Sequence, residues 1–149
     1  MSRNSKRLLE PLELFLDDGF SNPEVAAALR AAKFVVHEFT DSFPRENNPA
    51  KREQSVEDPP IIELCHRQSW LMVTTDKDMC KKHRACIRRY KNVTIIATAS
   101  NGACMPDEWV NGIVKLADEL RAMFATKRRP WFVFFSREGK ITANRDKMF

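Results

Sequence analysis

The 149-residue sequence predicts one α/β domain in which a mainly parallel sheet lies between two layers of helices, closing with a C-terminal β-hairpin. Three observations predict this three-layer α/β/α fold. Short apolar runs alternate with helical patterns along the chain. The runs are mostly continuous apolar stretches, which is typical of strands that are buried on both faces. The composition, 43% hydrophobic and 30% charged with four Gly and eight Pro, excludes collagen-like and low-complexity chains.

Each predicted strand is an apolar run that ends at a polar or charged residue. The first run covers residues 12–16 and stops at Asp17-Asp18-Gly19. Further runs at 34–36, 70–74 and 93–97 predict three more strands. Residues 131–135, a turn at 137–140 and residues 141–143 predict the closing hairpin.

Helices are predicted between these strands from their start signals. Asn22 and Pro23 form such a signal, and apolar residues then recur at the spacing of one helical face. Asp58 and the two prolines after it begin the next helix. A basic helix follows the third strand up to about residue 90, and Pro106 begins the longest helix.

Two segments are expected outside the packed core of this single domain, 1–149. Residues 1–11 predict a flexible basic leader, and the polar residues 40–57 predict a long surface loop. Charges interrupt the leader, and no apolar run approaches the roughly 20 residues of a membrane-spanning helix. We therefore expect a cytoplasmic chain with no membrane partner and with reduced thiols at its four cysteines, Cys65, Cys80, Cys86 and Cys104.

Acidic residues stand where the first and third strands end. Asp17 follows the first strand, Asp76 and Asp78 follow the third, and Asp58 begins the helix that leads into the third. If these strands are neighbours, the carboxylates crowd at the edge of the sheet where ligands bind in such folds, and they need cations between them. Oxygen ligands suit Mg²⁺ or Mn²⁺, so the pattern predicts a metal-dependent phosphodiesterase site. Each aspartate alone could instead be a helix cap or a turn residue.

A cationic helix begins beside these acids, in a chain of net charge +5. Residues 77–91 carry seven basic side chains against one acid, Asp78. Beside a metal site they predict contacts to a phosphate backbone; a solvated helix face is the alternative. A second basic cluster, 127–129, is interpreted as a helix end that the helix dipole favours. The residues expected to bind nucleic acid are Lys77, Lys81, Lys82, Arg84 and Arg88.

The motif Cys80-x-x-His83-x-x-Cys86 contains residue types that commonly bind zinc, so a zinc site is one interpretation. Two cysteines six residues apart on a helix differ by about 9 Å of rise and roughly 120° of rotation. One tetrahedral ion does not easily span that separation, so packing of an inward-facing stripe is the favoured interpretation.

The order and spacing of these motifs resemble small PIN-like domains. The resemblance is carried by Phe15-Leu16-Asp17-Asp18-Gly19-Phe20, by the helix and strand up to His37, and by residues 58–78. It extends over most of the chain from Leu12 to Ala143 and is closest to stand-alone VapC-type toxins. It implies an endoribonuclease that uses Mg²⁺ or Mn²⁺, leaves a 5′-phosphate and is held inactive by a cognate antitoxin. Oligomers are compatible with it, since the apolar segment 131–135 could serve an interface as easily as a core.

By motif position, the resemblance implies that Asp17, Asp58 and Asp76 bind the metal and that Asp78 is a fourth catalytic carboxylate. Two departures from the family pattern leave an alternative open. The loop before Asp58 is long, and the glutamate that many members carry after the second strand has only Glu38 as a weak counterpart. The alternative is a catalytically degenerate PIN-like module that binds RNA or a protein partner.

Overall fold

The computed structural model describes residues 11–17, 22–39, 58–99 and 106–149. The predicted leader, apart from Pro11, and the predicted loop at 40–57 lie outside these ranges, as do Asp18 and Cys104. In chain order the elements are β1 (Glu13–Leu16), α1 (Pro23–Ala31), β2 (Val35–Glu38), α2 (Asp58–Gln68), β3 (Leu71–Thr74), α3 (Met79–Lys82), α4 (Arg84–Arg89), β4 (Thr94–Thr98), α5 (Pro106–Lys115), α6 (Ala117–Thr126), β5 (Trp131–Phe135), β6 (Ile141–Asn144) and a 3₁₀ turn (Asp146–Met148).

A six-stranded sheet in the order β2-β1-β3-β4-β5-β6 forms the centre of the molecule. The first five strands pair in parallel, and β6 pairs antiparallel with β5. The predicted α/β class and the mainly parallel sheet are therefore confirmed. β1 lies between β2 and β3, so the first and third strands are direct neighbours.

Apolar side chains leave both faces of the sheet and form two separate cores. Helices α1, α5 and α6 cover one face, and helices α2, α3 and α4 cover the other. In β5, Trp131 and Val133 face the first core while Phe132 and Phe134 face the second. This two-sided burial explains why the central strands β3, β4 and β5 read as nearly continuous apolar runs. Within the ranges given above, no helix combines the length and the apolar character needed to cross a bilayer.

Two helices that the sequence pattern predicts as continuous are each divided in two. The basic helix is broken at His83, whose backbone (φ −121°, ψ 28°) ends α3 and precedes α4. The long helix is divided at Leu116, whose N–H is shared by the carbonyl oxygens of Gly112 and Ile113. Such sharing is common at the end of a helix, where the turn tightens.

The connection between β5 and β6 packs closely against α5 through two glycines. A Cβ atom at Gly112 would lie 2.5 Å from the carbonyl oxygen of Ser136. Gly139 has φ +81°, and a Cβ atom there would lie 2.5 Å from the Cβ of Lys115. Glycine at both positions therefore permits the close approach of α5 to this connection.

Candidate active site

The carboxyl ends of β1 and β3 lie side by side, and each is followed by an aspartate. Leu16 is in register with Val73, so Asp17 emerges beside the last residues of β3. The N–H of Asp17 donates to the carbonyl oxygen of Val73 at 3.0 Å, which extends the ladder by one residue. The strand pairing thus holds the backbone of Asp17 at this edge of the sheet.

Asp17 is a buried carboxylate, with 9% of its surface exposed. Its Oδ2 accepts a hydrogen bond from the hydroxyl of Thr74 at 2.8 Å, and Thr74 is itself fully buried. Burying a carboxylate is costly unless hydrogen bonds or cations compensate it, and a bond to a charged acceptor is stronger than a neutral one. Thr74 therefore both stabilises Asp17 and fixes the direction of its carboxylate.

Thr74 also connects Asp17 to Asp76. Its Oγ1 accepts a hydrogen bond from the N–H of Asp76 at 3.1 Å while it donates to Asp17. One hydroxyl therefore joins two of the four aspartates that the sequence singles out, across the boundary between β1 and β3. Sequence reasoning missed Thr74, although its place as the last residue of a buried strand, directly before the acidic turn, was a usable signal.

Asp76 has partners for both of its carboxylate oxygens. Oδ1 accepts from the N–H of Asp78 at 2.9 Å, which closes an Asx turn before α3. Oδ2 lies 3.1 Å from Nζ of Lys82. Asp78 is the N-cap residue of α3, but its side chain makes no capping hydrogen bond. Its carbonyl oxygen accepts hydrogen bonds from backbone N–H groups in the first turn of the helix. Asp76 thus has a structural role in the turn, whatever else it binds.

The third predicted metal ligand, Asp58, is the first residue of α2. Its side chain lies outside the described part of the structure, so the predicted meeting of three carboxylates is not tested. Among the described residues, no group of three or more His, Cys, Asp or Glu side chains is placed to hold a metal ion. Mg²⁺ is, however, commonly bound through one or two carboxylates together with waters and substrate phosphates. Asp17 and Asp76 fit that donor chemistry.

A basic cleft of about 310 Å³ adjoins the acidic turn and extends over β4, β5 and β6. We name it the carboxyl-edge cleft. Its charged lining residues are Lys77, Asp78, Lys81 and Arg145. The guanidinium of Arg145 lies 4.9 Å from the centre of the Phe134 ring, and both residues line the cleft. Arg145 was not among the predicted residues, because only the antiparallel pairing of β6 returns it to this place.

The five cations predicted to bind nucleic acid are not all equally placed to do so. Lys77 and Lys81 line the carboxyl-edge cleft. Lys82 pairs with Asp76, and Nε of Arg84 donates to the carbonyl oxygen of Met148 at 2.7 Å. Arg88 opens onto a different cleft, at the other end of the strands. The basic segment thus divides between two edges of the sheet.

A buried thiol lies close to Asp17. Cys65 of α2 is fully buried, and burial raises the pKa of its thiol, with the negative charge of Asp17 adding to the effect. Burial also raises the pKa of the Cys80 thiol. Both side chains therefore remain protonated and unreactive near neutral pH, and both pack in the core beneath α2, α3 and α4.

Two polar side chains of β2, His37 and Glu38, have local partners. His37 stacks on Trp70 with ring centres 3.7 Å apart, and its Nε2 lies 3.2 Å from a carboxylate oxygen of Glu13. Glu38 pairs with Arg30 at 3.5 Å. His37 is thus held by residues at the start of β1 and just before β3, and Glu38 by a residue of α1.

The chain was also compared with known proteins. No protein-family model matches it, and no curated protein or solved structure shows significant similarity to it.

Proposed function

We propose that this chain is a divalent-metal-dependent endoribonuclease with a PIN-like fold, in which the carboxyl edge of β1 and β3 is the active site. The observation that carries the proposal is the hydrogen-bonded connection of Asp17, Thr74 and Asp76 beside a cleft lined by cations. A buried carboxylate at the same end of the sheet as a cation-lined cleft suits a reaction at a phosphodiester, which brings its own negative charge. The resemblance to VapC-type toxins extends the proposal to a toxin with an acidic antitoxin as partner, in the cytoplasm.

In this proposal the acidic side chains hold Mg²⁺ or Mn²⁺. Asp17 and Asp76 bind the ion, and Asp58 and Asp78 complete its surroundings directly or through water. When bound, such an ion activates water and stabilises the charge that develops on a phosphoryl oxygen. Because the Lys82 ammonium neutralises Asp76 at present, binding of the ion requires Lys82 to move away or to share that carboxylate.

The other residues of the edge bind and orient the substrate. Lys77, Lys81 and Arg145 of the carboxyl-edge cleft bind phosphates on either side of the scissile bond. Thr74 keeps the Asp17 carboxylate in one orientation, which a preorganised site requires. Since the contacts are to phosphates, binding is expected to weaken as salt is raised.

A second candidate function is a module that binds RNA without cleaving it. The specific observation in its favour is that both oxygens of Asp76 are already engaged, one by the N–H of Asp78 and one by Lys82. In this case the acidic turn only shapes the start of α3, and the basic side chains of the cleft carry the function. The two candidates differ in turnover, not in affinity for RNA.

The test is cleavage of a labelled single-stranded RNA with Mn²⁺, followed for the wild type and for Asp17→Asn and Asp76→Asn. Both substitutions are expected to lower the rate at least about 100-fold while RNA binding is retained, since a lost carboxylate removes a charge that the reaction needs. Asp118→Asn is the matched control, because Asp118 is a fully exposed carboxylate on α6. A rate that is unchanged in either site variant refutes the assignment, and salt-sensitive binding without turnover in the wild type selects the second candidate.

A further inference from the structure

A second basic cleft lies at the opposite edge of the sheet, where β4 and β5 begin. It has a volume of about 670 Å³, roughly twice that of the carboxyl-edge cleft. We name it the amino-edge cleft. The partly buried ring of Phe149 forms one of its walls. Its charged lining residues are Arg88, Lys91, Lys127, Arg128, Arg129 and Asp146.

Three of these charged residues serve the structure itself. Nζ of Lys127 lies 2.6 Å from a carboxylate oxygen of Asp146, so these two charges compensate each other. Arg129 donates to the side chain of Asn92 and to the carbonyl oxygen of Phe124 at 2.6 Å, and its guanidinium stacks 4.1 Å from the centre of the Phe124 ring. Arg129 therefore ties the end of α6 to the turn before β4.

The other three cations, Arg88, Lys91 and Arg128, are exposed. Arg88 lies near the end of α4 and Lys91 follows Tyr90, whereas Arg128 lies in the connection between α6 and β5. Within the ranges that the structure describes, none of the three has a carboxylate partner. Three uncompensated positive charges around one cleft repel each other and favour an anion between them.

We propose that the amino-edge cleft binds the phosphate backbone of an RNA strand, as a second site remote from Asp17 and Asp76. This inference rests on RNA being the substrate of the proposed function. Helices α3 and α4 connect the two clefts along one face of the molecule: Lys81 lines the first and Arg88, seven residues later, lines the second. Even a fully extended backbone spans no more than about 25 Å over seven residues, so an RNA strand of several nucleotides reaches from one cleft to the other.

The chemistry of the cleft favours RNA over an acidic protein segment. Flexible cations with an aromatic wall match a charged backbone whose bases can stack, as at other sites for single strands. The same cations extend the binding surface of the carboxyl-edge cleft, so one ligand can use both. The amino-edge cleft holds the strand away from the reacting phosphate and raises affinity without taking part in cleavage.

The experiment measures RNA affinity by fluorescence anisotropy with a labelled 12-nucleotide RNA, in EDTA so that no cleavage occurs. Arg88→Gln/Arg128→Gln removes two exposed cations of the cleft. If each contacts one phosphate, the slope of log K against log salt becomes shallower by about 1.4, and affinity at 0.1 M salt falls by about 25-fold. Lys33→Gln/Lys115→Gln is the matched control, because both lysines are exposed, lie outside the two clefts and remove the same net charge.

Equal affinity and equal slope for the two double variants overturn the inference. A labelled poly-glutamate peptide forms the second arm: if the cleft variant loses peptide binding but keeps RNA binding, the cleft is a site for an acidic protein segment and the proposal is wrong. Because binding is measured without metal, the result is independent of catalysis. Weakened RNA binding in a chain that never cleaves RNA supports the second site while the proposed nuclease fails.

Discussion

Replacing Thr74 with valine tests whether its hydroxyl organises the carboxyl edge of the sheet. Valine keeps the branched shape and the volume of threonine, so the strand and the core around it stay filled. The substitution removes the donor to Asp17 and the acceptor of the Asp76 N–H together. We expect a loss of stability out of proportion to the size of the change.

The magnitude follows from the two hydrogen bonds. The bond to the Asp17 carboxylate is charge-assisted and lies at a buried site, where losing it costs about 1.5–3 kcal/mol. The bond from the N–H of Asp76 is a neutral one, worth about 1 kcal/mol. The free energy of unfolding should therefore fall by roughly 2.5–4 kcal/mol in Thr74→Val.

Urea denaturation at pH 7, followed by far-UV circular dichroism, measures this difference. Thr74→Ser is the control, because serine keeps the hydroxyl and loses only one methyl group, at a cost of about 1 kcal/mol. If the valine variant is as stable as the serine variant, the hydroxyl does not stabilise Asp17 and the argument for an organised site fails. A second check is the double variant Asp17→Asn/Thr74→Val. Because the two side chains share one hydrogen bond, its loss of unfolding free energy should be smaller than the sum of the losses in the two single variants.

Three further predictions concern the fold around the site. Gly112→Ala places a Cβ atom against the carbonyl oxygen of Ser136, so the unfolding free energy should fall by about 1–3 kcal/mol in a urea titration; an unchanged midpoint contradicts the close approach. Asn92→Ala removes the side-chain bonds that join the turn before β4 to the end of α2, and a loss of about 1–3 kcal/mol is expected in the same assay. The pKa of the Cys65 thiol is raised in the folded chain. The stabilisation from keeping this thiol protonated is therefore complete below the unfolded thiol pKa of about 8.5. Above that pH the free energy of unfolding falls by about 1.4 kcal/mol per pH unit. Cys65→Ala should remove this alkaline decline, and equal pH profiles of the two proteins would exclude it.

The local sequence pattern was sufficient to predict whether each segment is a helix or a strand, and to predict most of the boundaries of these elements. The run that ends at Asp17 forms β1, and the start signal at Asn22 is a true N-cap, whose side chain accepts from the N–H of Glu24 at 2.8 Å. Helix continuity was predicted less well, since nothing in the local sequence marks the breaks at His83 and Leu116. The contacts of a helix with its neighbours decide such breaks, and these contacts are not visible in a periodic pattern.

The candidate site was predictable to a similar degree. Asp17 and Asp76 were identified from their positions after apolar runs, and the pairing of β1 with β3 then places them next to one threonine. The role of Thr74 and the place of Arg145 in the cleft depend on the tertiary structure, because each involves residues that are far away in the chain. The expected single ridge of cations divides between two clefts for the same reason.

The amino-acid sequence by itself determined the alternation of strands and helices, the two-sided burial of the sheet and the acidic ends of two strands, because each follows from side-chain chemistry within a few residues. The tertiary structure alone decided which strands are neighbours, and therefore which charges meet at which edge. Neighbouring strands are chosen by contacts between segments that are tens of residues apart, and the energies of those contacts depend on the packing of the whole molecule.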